Sequence, residues 1–250
     1  MVHEKKLSLV IPAHNEEGCI EETIIKFHQT LKKNKIPHEI LVINDNSKDS
    51  TEDILKRLKK DISELRYINN SPPNGFGLAV VKGLENFEGD YVSIVMADMS
   101  DDPLDLVKYY KKAREGHDCV FGSRFVKGGK VIDYPRHKLI LNRIGNFIIR
   151  LLFGMRYNDT TNAFKLYSRK TIDGLKPFLS HHFNLTVELP LKAIIRGYTY
   201  TVVPNKWTNR KTGESKLKLK EMGSRYFFII LYCFLEKLLS RGDYKKKTKA

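Results

Sequence analysis

Along the first half of the chain, short and nearly continuous apolar runs alternate with stretches whose apolar residues recur every three or four positions. The runs are "LSLVIP" (Leu7–Pro12), "EILVIND" (Glu39–Asp45), "LRYINN", "DYVSIVMAD" and "DCVFGSR", and their length and composition predict buried parallel strands. Between them, Ile20, Ile24, Phe27 and Leu31 predict a helix from about Ile20 to Lys33. "SKDSTEDILKRLKK" predicts a second helix with Ser50 as its N-cap. "GFGLAVVKGLENF" predicts a glycine-opened third, and "PLDLVKYYKKAREG" a fourth that starts at Pro103 and stops at Gly116. This strand–helix alternation predicts an α/β fold, a mostly parallel, doubly wound sheet with helices on both faces.

Ligands of such sheets sit beyond the C-terminal ends of the strands. Four of those ends carry polar clusters, "PAHNEE", "NDNSKDS", "ADMSDD" and "GSRF", and their convergence on one edge marks the candidate site. The second half is less regular. A basic linker, "VKGGKVIDYPRHK", leads to an amphipathic helix from about Leu139 to Phe153. "NDTTNAFKLYS" reads as a turn and a strand, and short helices follow. The strand "YTYTVVP", the polar loop "NKWTNRKTGESK" and a long helix close the chain.

Charge sharpens this division. Residues 1–120 hold 17 Lys and Arg against 21 Asp and Glu, whereas residues 121–250 hold 27 against 8. A strongly basic second half points to a polyanion or an anionic membrane. Nucleic acid is disfavoured because the aromatic residues are not interleaved with the basic run as stacking platforms require. Three scattered cysteines suggest neither a disulfide framework nor a zinc site, and so a reducing, cytosolic compartment. The most apolar segment offers ten uncharged residues, Tyr226–Leu235, against the roughly 20 needed to span a bilayer.

The stretch "VMADMSDDP" (Val95–Pro103) is chemically the most pointed. Carboxylates at a strand end hold a metal ion or a charged ligand, and a clamp for a nucleoside diphosphate commonly has two acids one residue apart. Asp98 supplies one, but Met96 stands where the other would be. Asp101 and Asp102 follow, where they equally suit capping of the helix that begins at Pro103.

Taken in order, "VIPAHNEE", "VINDNSKDST", "NGFGLAVVKGL", "MADMSDDP", "GSRF", "NDTTNAFKLY" and "NRKTGESK" resemble the family 2 inverting glycosyltransferases of the GT-A fold. Within that family they are most similar to the dolichyl-phosphate mannosyltransferases and related polyprenyl-phosphate glycosyltransferases. The resemblance covers roughly residues 6–220. It implies a GT-A domain over 1–220 and a C-terminal amphipathic helix with a basic tail over 221–250. It further implies donor binding by Pro12, His14, Asn15 and Glu16 at the first strand end, and by Asp45, Ser47 and Asp49 at the second, with Asp49 equally placed to cap the next helix. Asn44 and Asn46 depart from the family's usual Asp and Gly. Gly75 and Gly77 would let the backbone approach the donor closely. Asp98 and Ser100 would hold a Mg²⁺ or Mn²⁺ ion. Arg210, Ser215 and Lys216 would close over the diphosphate.

An acceptor phosphate, in the same comparison, would meet Arg124, Lys138 and Asn142, with Arg136 and Arg143 as near alternatives. Asp159, Thr161 and Glu188 would frame the acceptor side, and Phe164 reads as core. Asp98, Arg124 and Arg210 are then the catalytic candidates. A lipid phosphate with a pKa of about 6 is ionised at neutral pH and needs no base, whereas a sugar hydroxyl acceptor needs one. The expected reaction is transfer of mannose from GDP-mannose to a polyprenyl or dolichyl phosphate at the cytoplasmic face of a membrane. The apolar C-terminal helix and its basic tail suit a peripheral position in the interface or a membrane-anchoring subunit. The alternatives are transfer of glucose or N-acetylglucosamine to a lipid phosphate or a saccharide hydroxyl, and a catalytically weak nucleotide-sugar-binding protein.

Overall fold

A computed structural model describes residues 4–209 and 219–246, with side chains from residue 223 in the second span. The first half follows the alternation read from the sequence. Strands β1 (Leu7–Ala13), β2 (His38–Asn44), β3 (Leu65–Asn69), β4 (Tyr91–Ile94) and β5 (Cys119–Ser123) are separated by helices α1 (Ile20–Lys33), α2 (Thr51–Asp61), α3 (Phe76–Asn86) and α4 (Pro103–Arg114). The second half adds strand β6 (Lys130–Ile132), helix α5 (Arg136–Phe153), strand β7 (Lys165–Ser168), helices α6 (Arg169–Leu175) and α7 (Leu185–Ile195), strands β8 (Tyr200–Pro204) and β9 (Lys206–Thr208), and helix α8 (Leu219–Leu239).

Seven strands form the main sheet in the order β3-β2-β1-β4-β7-β5-β8. Every neighbouring pair is parallel except those made by β7, which runs antiparallel to both β4 and β5. The sheet is thus mostly parallel, as expected, with one reversed strand in its middle. The pleat divides the apolar residues of each strand between two cores. Leu7, Leu9 and Ile11 enter a core with α1, α2 and α4, while Val10, Leu41 and Ile43 face a second core with α3, α5, α6, α7 and α8. All six are fully buried, each worth about 1.5–3 kcal/mol of transfer free energy. Phe164 is fully buried in the first core, as read from the sequence. The inner side of α8 is also core, since Ile229 and Cys233 are fully buried.

Three local features depart from expectation. The "DYVSIVMAD" strand stops at Ile94, because the chain must turn sharply to aim the acids that follow. Ser50 occupies the cap position of α2 without a side-chain bond; Asp49 Oδ1 accepts from Thr51 N instead, at 3.0 Å. Parts of the basic linker and of the polar loop pair with each other, β6 beside β9, as a two-stranded parallel ribbon.

Behind the sheet, His28 on α1 meets His38 at the start of β2, with Nδ1 and Nε2 3.1 Å apart. His38 Nδ1–H donates to the Ile36 carbonyl at 2.8 Å, which leaves Nε2 as the acceptor from His28. Burial pushes the His38 pKa down, and the neighbouring His28 and Lys32 push the same way against the Ile36 bond and Glu64. The folded state therefore takes up its proton at a lower pH than the unfolded chain, which binds it near 6.5. That contribution to stability is complete above about pH 6.5 and falls away as pH drops below it. Urea unfolding followed by circular dichroism is expected to show this decline, and His38→Gln is expected to flatten it.

Candidate active site at the strand ends

The loops leaving β1 and β2 are laced together at the sheet edge. His14 Nδ1–H donates to the Asp45 carbonyl at 2.6 Å. Asn15 N donates to Ser47 Oγ at 3.0 Å, and Lys48 N donates to Asn15 Oδ1 at 2.7 Å. Glu16 N reaches Thr51 Oγ1, and Glu17 N reaches Asp49 Oδ2. Asp49, with bonds at both carboxylate oxygens, thus joins the two loops and caps α2. Asp45 is 5% exposed and accepts from Asn70 Nδ2 at 3.0 Å and Gly75 N at 2.9 Å. Asn44 and Asn46 lend amides to the same region, donating to Asn69 and Asn74. Pro12, half-buried in β1, lies beside Ile43 of β2.

The chain itself already requires glycine at 75 and 77. A Cβ on Gly77 would lie 2.4 Å from His181 C and 2.5 Å from Ser180 O, and one on Gly75 would lie 2.7 Å from His181 O. The 180–182 segment crosses the start of α3 too closely for any side chain there. Glu188, expected on the acceptor side, anchors this segment instead. It is fully buried, pairs with Lys192, and accepts from Leu179 N and Ser180 N.

Beyond β4, three strand ends share one backbone device. Asn15, Asn46 and Met99 have φ of 52°, 56° and 59°, left-handed conformations that asparagine tolerates and methionine adopts at a cost. At Met99 this turn sets Asp98 and Ser100 on either side of it, with Ser100 N donating to Asp98 Oδ1 at 3.1 Å. Asp102 caps α4 through Leu104 N, whereas Asp101 folds back so that its Oδ2 accepts from Met96 N at 3.2 Å. A carboxyl group thus lies beside the Met96 backbone, although the Met96 side chain carries none.

Burial, and then the like charge of Asp98, push the Asp101 pKa up to about 7, against the Met96 bond and Arg124. Ser100 Oγ is buried and has no hydrogen-bond partner among the described residues. An orphaned hydroxyl beside two crowded acids is a donor set that fits an oxygen-seeking cation. The β6–β9 ribbon closes over this turn, with Thr208 N donating to Ser100 O at 3.0 Å and Lys206 N to Asp105 Oδ2 at 2.8 Å.

At the end of β5, Arg124 turns inward onto Asp159. Its Nε and Nη2 donate to the two carboxylate oxygens at 2.9 and 2.7 Å, and its backbone N donates to Oδ2 at 2.9 Å. The side chains are 8% and 0% exposed. Burial works against the charged guanidinium, but the Asp159 carboxylate outweighs it and holds the pKa above the usual value. None of the hydrogen bonds that Arg124 makes to described residues uses Nη1.

Thr161 Oγ1 accepts from Asn142 Nδ2 at 2.8 Å and from Asn146 Nδ2 at 3.1 Å. Asn146 Oδ1 in turn accepts from Thr160 N at 2.6 Å. Lys138 lies half-buried in the first turn of α5, Arg136 opens that helix at the surface, and Arg143 stacks on Phe125 at 4.7 Å. Lys165 is 1% exposed and donates to the carbonyls of Thr160, Asn162 and Thr186; burial pushes its pKa down to about 7, against the pull of Asp159. Asp101 and Arg124 act on one another electrostatically, so the central and acceptor clusters form one neighbourhood.

The structure thus assembles His14, Ser47, Asp45 and Gly75 on one side, Asp98 and Ser100 centrally, and Arg124, Asn142, Asp159 and Thr161 on the other. Arg210, Ser215 and Lys216 lie outside the described residues. Asn70, Asn146 and Lys165 escape the sequence reading, whereas Asp101 stands out there in the acidic run, with capping of α4 as its rival role.

With this geometry in view, comparison with known proteins is informative. Residues 8–175 match the model of glycosyl transferase family 2. A dolichol-phosphate mannosyltransferase of Pyrococcus furiosus is 28% identical over 222 residues, 86% of this chain and 60% of that protein. The glycosyltransferase YkcC of Bacillus subtilis, itself uncharacterised, is 27% identical over 86% of this chain and 64% of its own length. The chain therefore spans less than two thirds of either relative. Glucosyl-3-phosphoglycerate synthase of Mycobacterium tuberculosis, solved with Mn²⁺ and UDP-glucose, superposes with a TM-score of 0.67 at 18% identity, covering 93% of this chain and 79% of that one. This likeness establishes the shared fold.

The Arg124–Asp159 pair sets a measurable expectation. Removing one partner of a buried ion pair strands the other charge, at a cost of about 3–5 kcal/mol. Asp159→Leu is expected to lower the urea midpoint accordingly, and the double variant Arg124→Met with Asp159→Leu to recover most of the loss.

Proposed function

The chain belongs to glycosyl transferase family 2, and from that membership we propose that it transfers a hexose, mannose from GDP-mannose foremost, to a polyprenyl or dolichyl phosphate at a membrane surface with inversion. The Pyrococcus furiosus relative supports this choice of donor and acceptor by its name. The observation that carries it is the construction of α5. Asn142 on its inner side joins the Arg124–Asp159–Thr161 cluster, while Ile140, Leu141 and Ile144 on its outer side are 51–58% exposed. A phosphate on an apolar tail suits that wall better than a free sugar does.

In the proposed reaction an acceptor phosphate oxygen attacks the anomeric carbon in line, the carbon–oxygen bond to the nucleoside diphosphate breaks, and the diphosphate leaves with that electron pair. The acceptor is already ionised, so no protein base is required. Arg124 Nη1, with Lys138 and Asn142, would hold the acceptor phosphate. His14, Asp45 and Ser47 would bind the nucleoside side of the donor through their loops. Asp98 and Ser100, with Asp101 close by, would hold a Mg²⁺ or Mn²⁺ ion, which would neutralise charge on the departing diphosphate.

Purified protein incubated with radiolabelled GDP-mannose, polyprenyl phosphate and Mn²⁺ or Mg²⁺ is expected to move label into the organic phase. UDP-glucose and UDP-N-acetylglucosamine are expected to label it more weakly. Asp98→Ala is expected to lower kcat by about 10²–10³. Lys138→Ala is expected to raise the KM for polyprenyl phosphate and leave that for the donor unchanged. No lipid-phase label with any donor would refute the proposal.

A further inference from the structure

We propose that α5 and α8 together form a docking surface for a bilayer containing anionic phospholipid, both helices lying in the plane of the interface. This deepens the preceding reading by naming the surface that meets the membrane, and it rests on that reading only for what is transferred there. Among the described residues, thirteen of the fifteen large apolar side chains exposed at the surface lie on these two helices.

Helix α5 is turned inside out. Its exposed stripe, Ile140, Ile144, Phe147, Ile148 and Leu151, recurs every three or four residues and is 51–73% exposed, the spacing of a helix face meant for burial. Its inward positions include Asn142 and Asn146, held by Thr160 and Thr161. The side facing the protein is polar in its first half, and the side facing outward carries an apolar stripe flanked by the exposed Arg143 and Arg150. A helix with water outside it shows the opposite arrangement.

Helix α8 repeats the pattern. Phe227, Phe228, Leu231, Leu235, Leu238 and Leu239 are 42–70% exposed, while Ile229 and Cys233 pack inward. The two helices touch where Phe153 meets the edge of Phe234 at 6.1 Å, and where Lys237 Nζ donates to the Phe153 carbonyl at 2.8 Å.

The charge on this face identifies the partner. Residues 134–158 contain no acid and include Arg136, Lys138, Arg143, Arg150 and Arg156. On the described part of α8 the one acid with a described side chain, Glu236, is buried against Arg196. An apolar stripe flanked, among the described side chains, by cations matches acyl chains beneath anionic headgroups. It argues against a second copy of the chain, because a two-fold contact would set these cations against themselves.

The test is flotation of the full chain with phosphatidylcholine vesicles, with and without phosphatidylglycerol. Binding is expected on the anionic vesicles, weakening with added salt. Phe147→Ser with Leu151→Ser, exposed and remote from Arg124, is expected to weaken it by about tenfold or more while circular dichroism and thermal unfolding stay unchanged. Leu104→Ser, an exposed apolar residue on α4, is the matched control and is expected to bind as the parent does. Failure to float with anionic vesicles would overturn the proposal. So would undiminished binding by the α5 variant, which would leave α8 as the whole surface, or a dimer that this variant disperses while the parent ignores vesicles. Flotation uses no sugar donor or acceptor. Protein that floats but labels no lipid therefore counts against the proposed reaction and not against this surface, and protein that labels added polyprenyl phosphate without floating counts the other way.

Discussion

The rest of the site depends on one buried ion pair. Arg124 at the end of β5 and Asp159 in the turn before β7 meet through three hydrogen bonds with almost no solvent contact. Such a pair contributes little net stability, because removing both charges from water costs nearly what their attraction returns. What it provides is specificity of arrangement. Asp159 draws the 159–165 turn onto the end of β5, which delivers β7 antiparallel into the gap between β4 and β5. The same turn presents Thr160 and Thr161 to α5, so sheet, turn and outer helix are fixed relative to one another by polar contacts.

That arrangement places opposite charges on the two sides of the sheet edge. Asp98 and Asp101 lie beyond β4, close enough that Asp98 helps push the Asp101 carboxyl up to about 7. Arg124 lies beyond β5 with its own charge already countered by Asp159. In the proposed reaction a nucleoside diphosphate beside the acids would need a cation between itself and them, and Ser100 Oγ, buried without a hydrogen-bond partner among the described residues, could serve one as an oxygen ligand. Met96 offers no acid there, and the Asp101 carboxyl instead folds back onto the Met96 backbone near Asp98.

The legible part of this molecule is the part written in local pattern. Five apolar runs with polar residues at their ends mark the strands of the first half and the sheet edge on which the polar clusters converge. Asp45 and Arg124 stand there because each directly follows a buried strand, and Asp98 because it lies in the turn just beyond the end of β4. What could not be read is what depends on partners distant in sequence. Asp159 lies 35 residues from Arg124, and nothing local announces the match. The reversal of β7 is a choice of neighbour rather than of conformation. Gly75 and Gly77 were rightly singled out as places where backbone comes close, but the approaching backbone belongs to the 180–182 segment. Asp101 and Asp102 look alike in sequence, yet a single capping bond separates their roles.

Helix α5 shows most clearly how a pattern can be read correctly and its direction missed. Periodicity predicts one apolar and one polar face, and says nothing of which face the protein takes for itself. Here tertiary contacts with Thr160 and Thr161 claim Asn142 and Asn146 for the interior and leave the apolar stripe outside. Full burial of a residue such as Phe147 or Leu151 is worth about 1.5–3 kcal/mol, so covering a stripe of this length would release a large free energy. The inner asparagines sit within one helical turn of that stripe. A partner that takes up the outer side therefore lies beside the wall of the acceptor cluster, and an apolar tail held there would bring its phosphate toward Arg124 without first crossing open water.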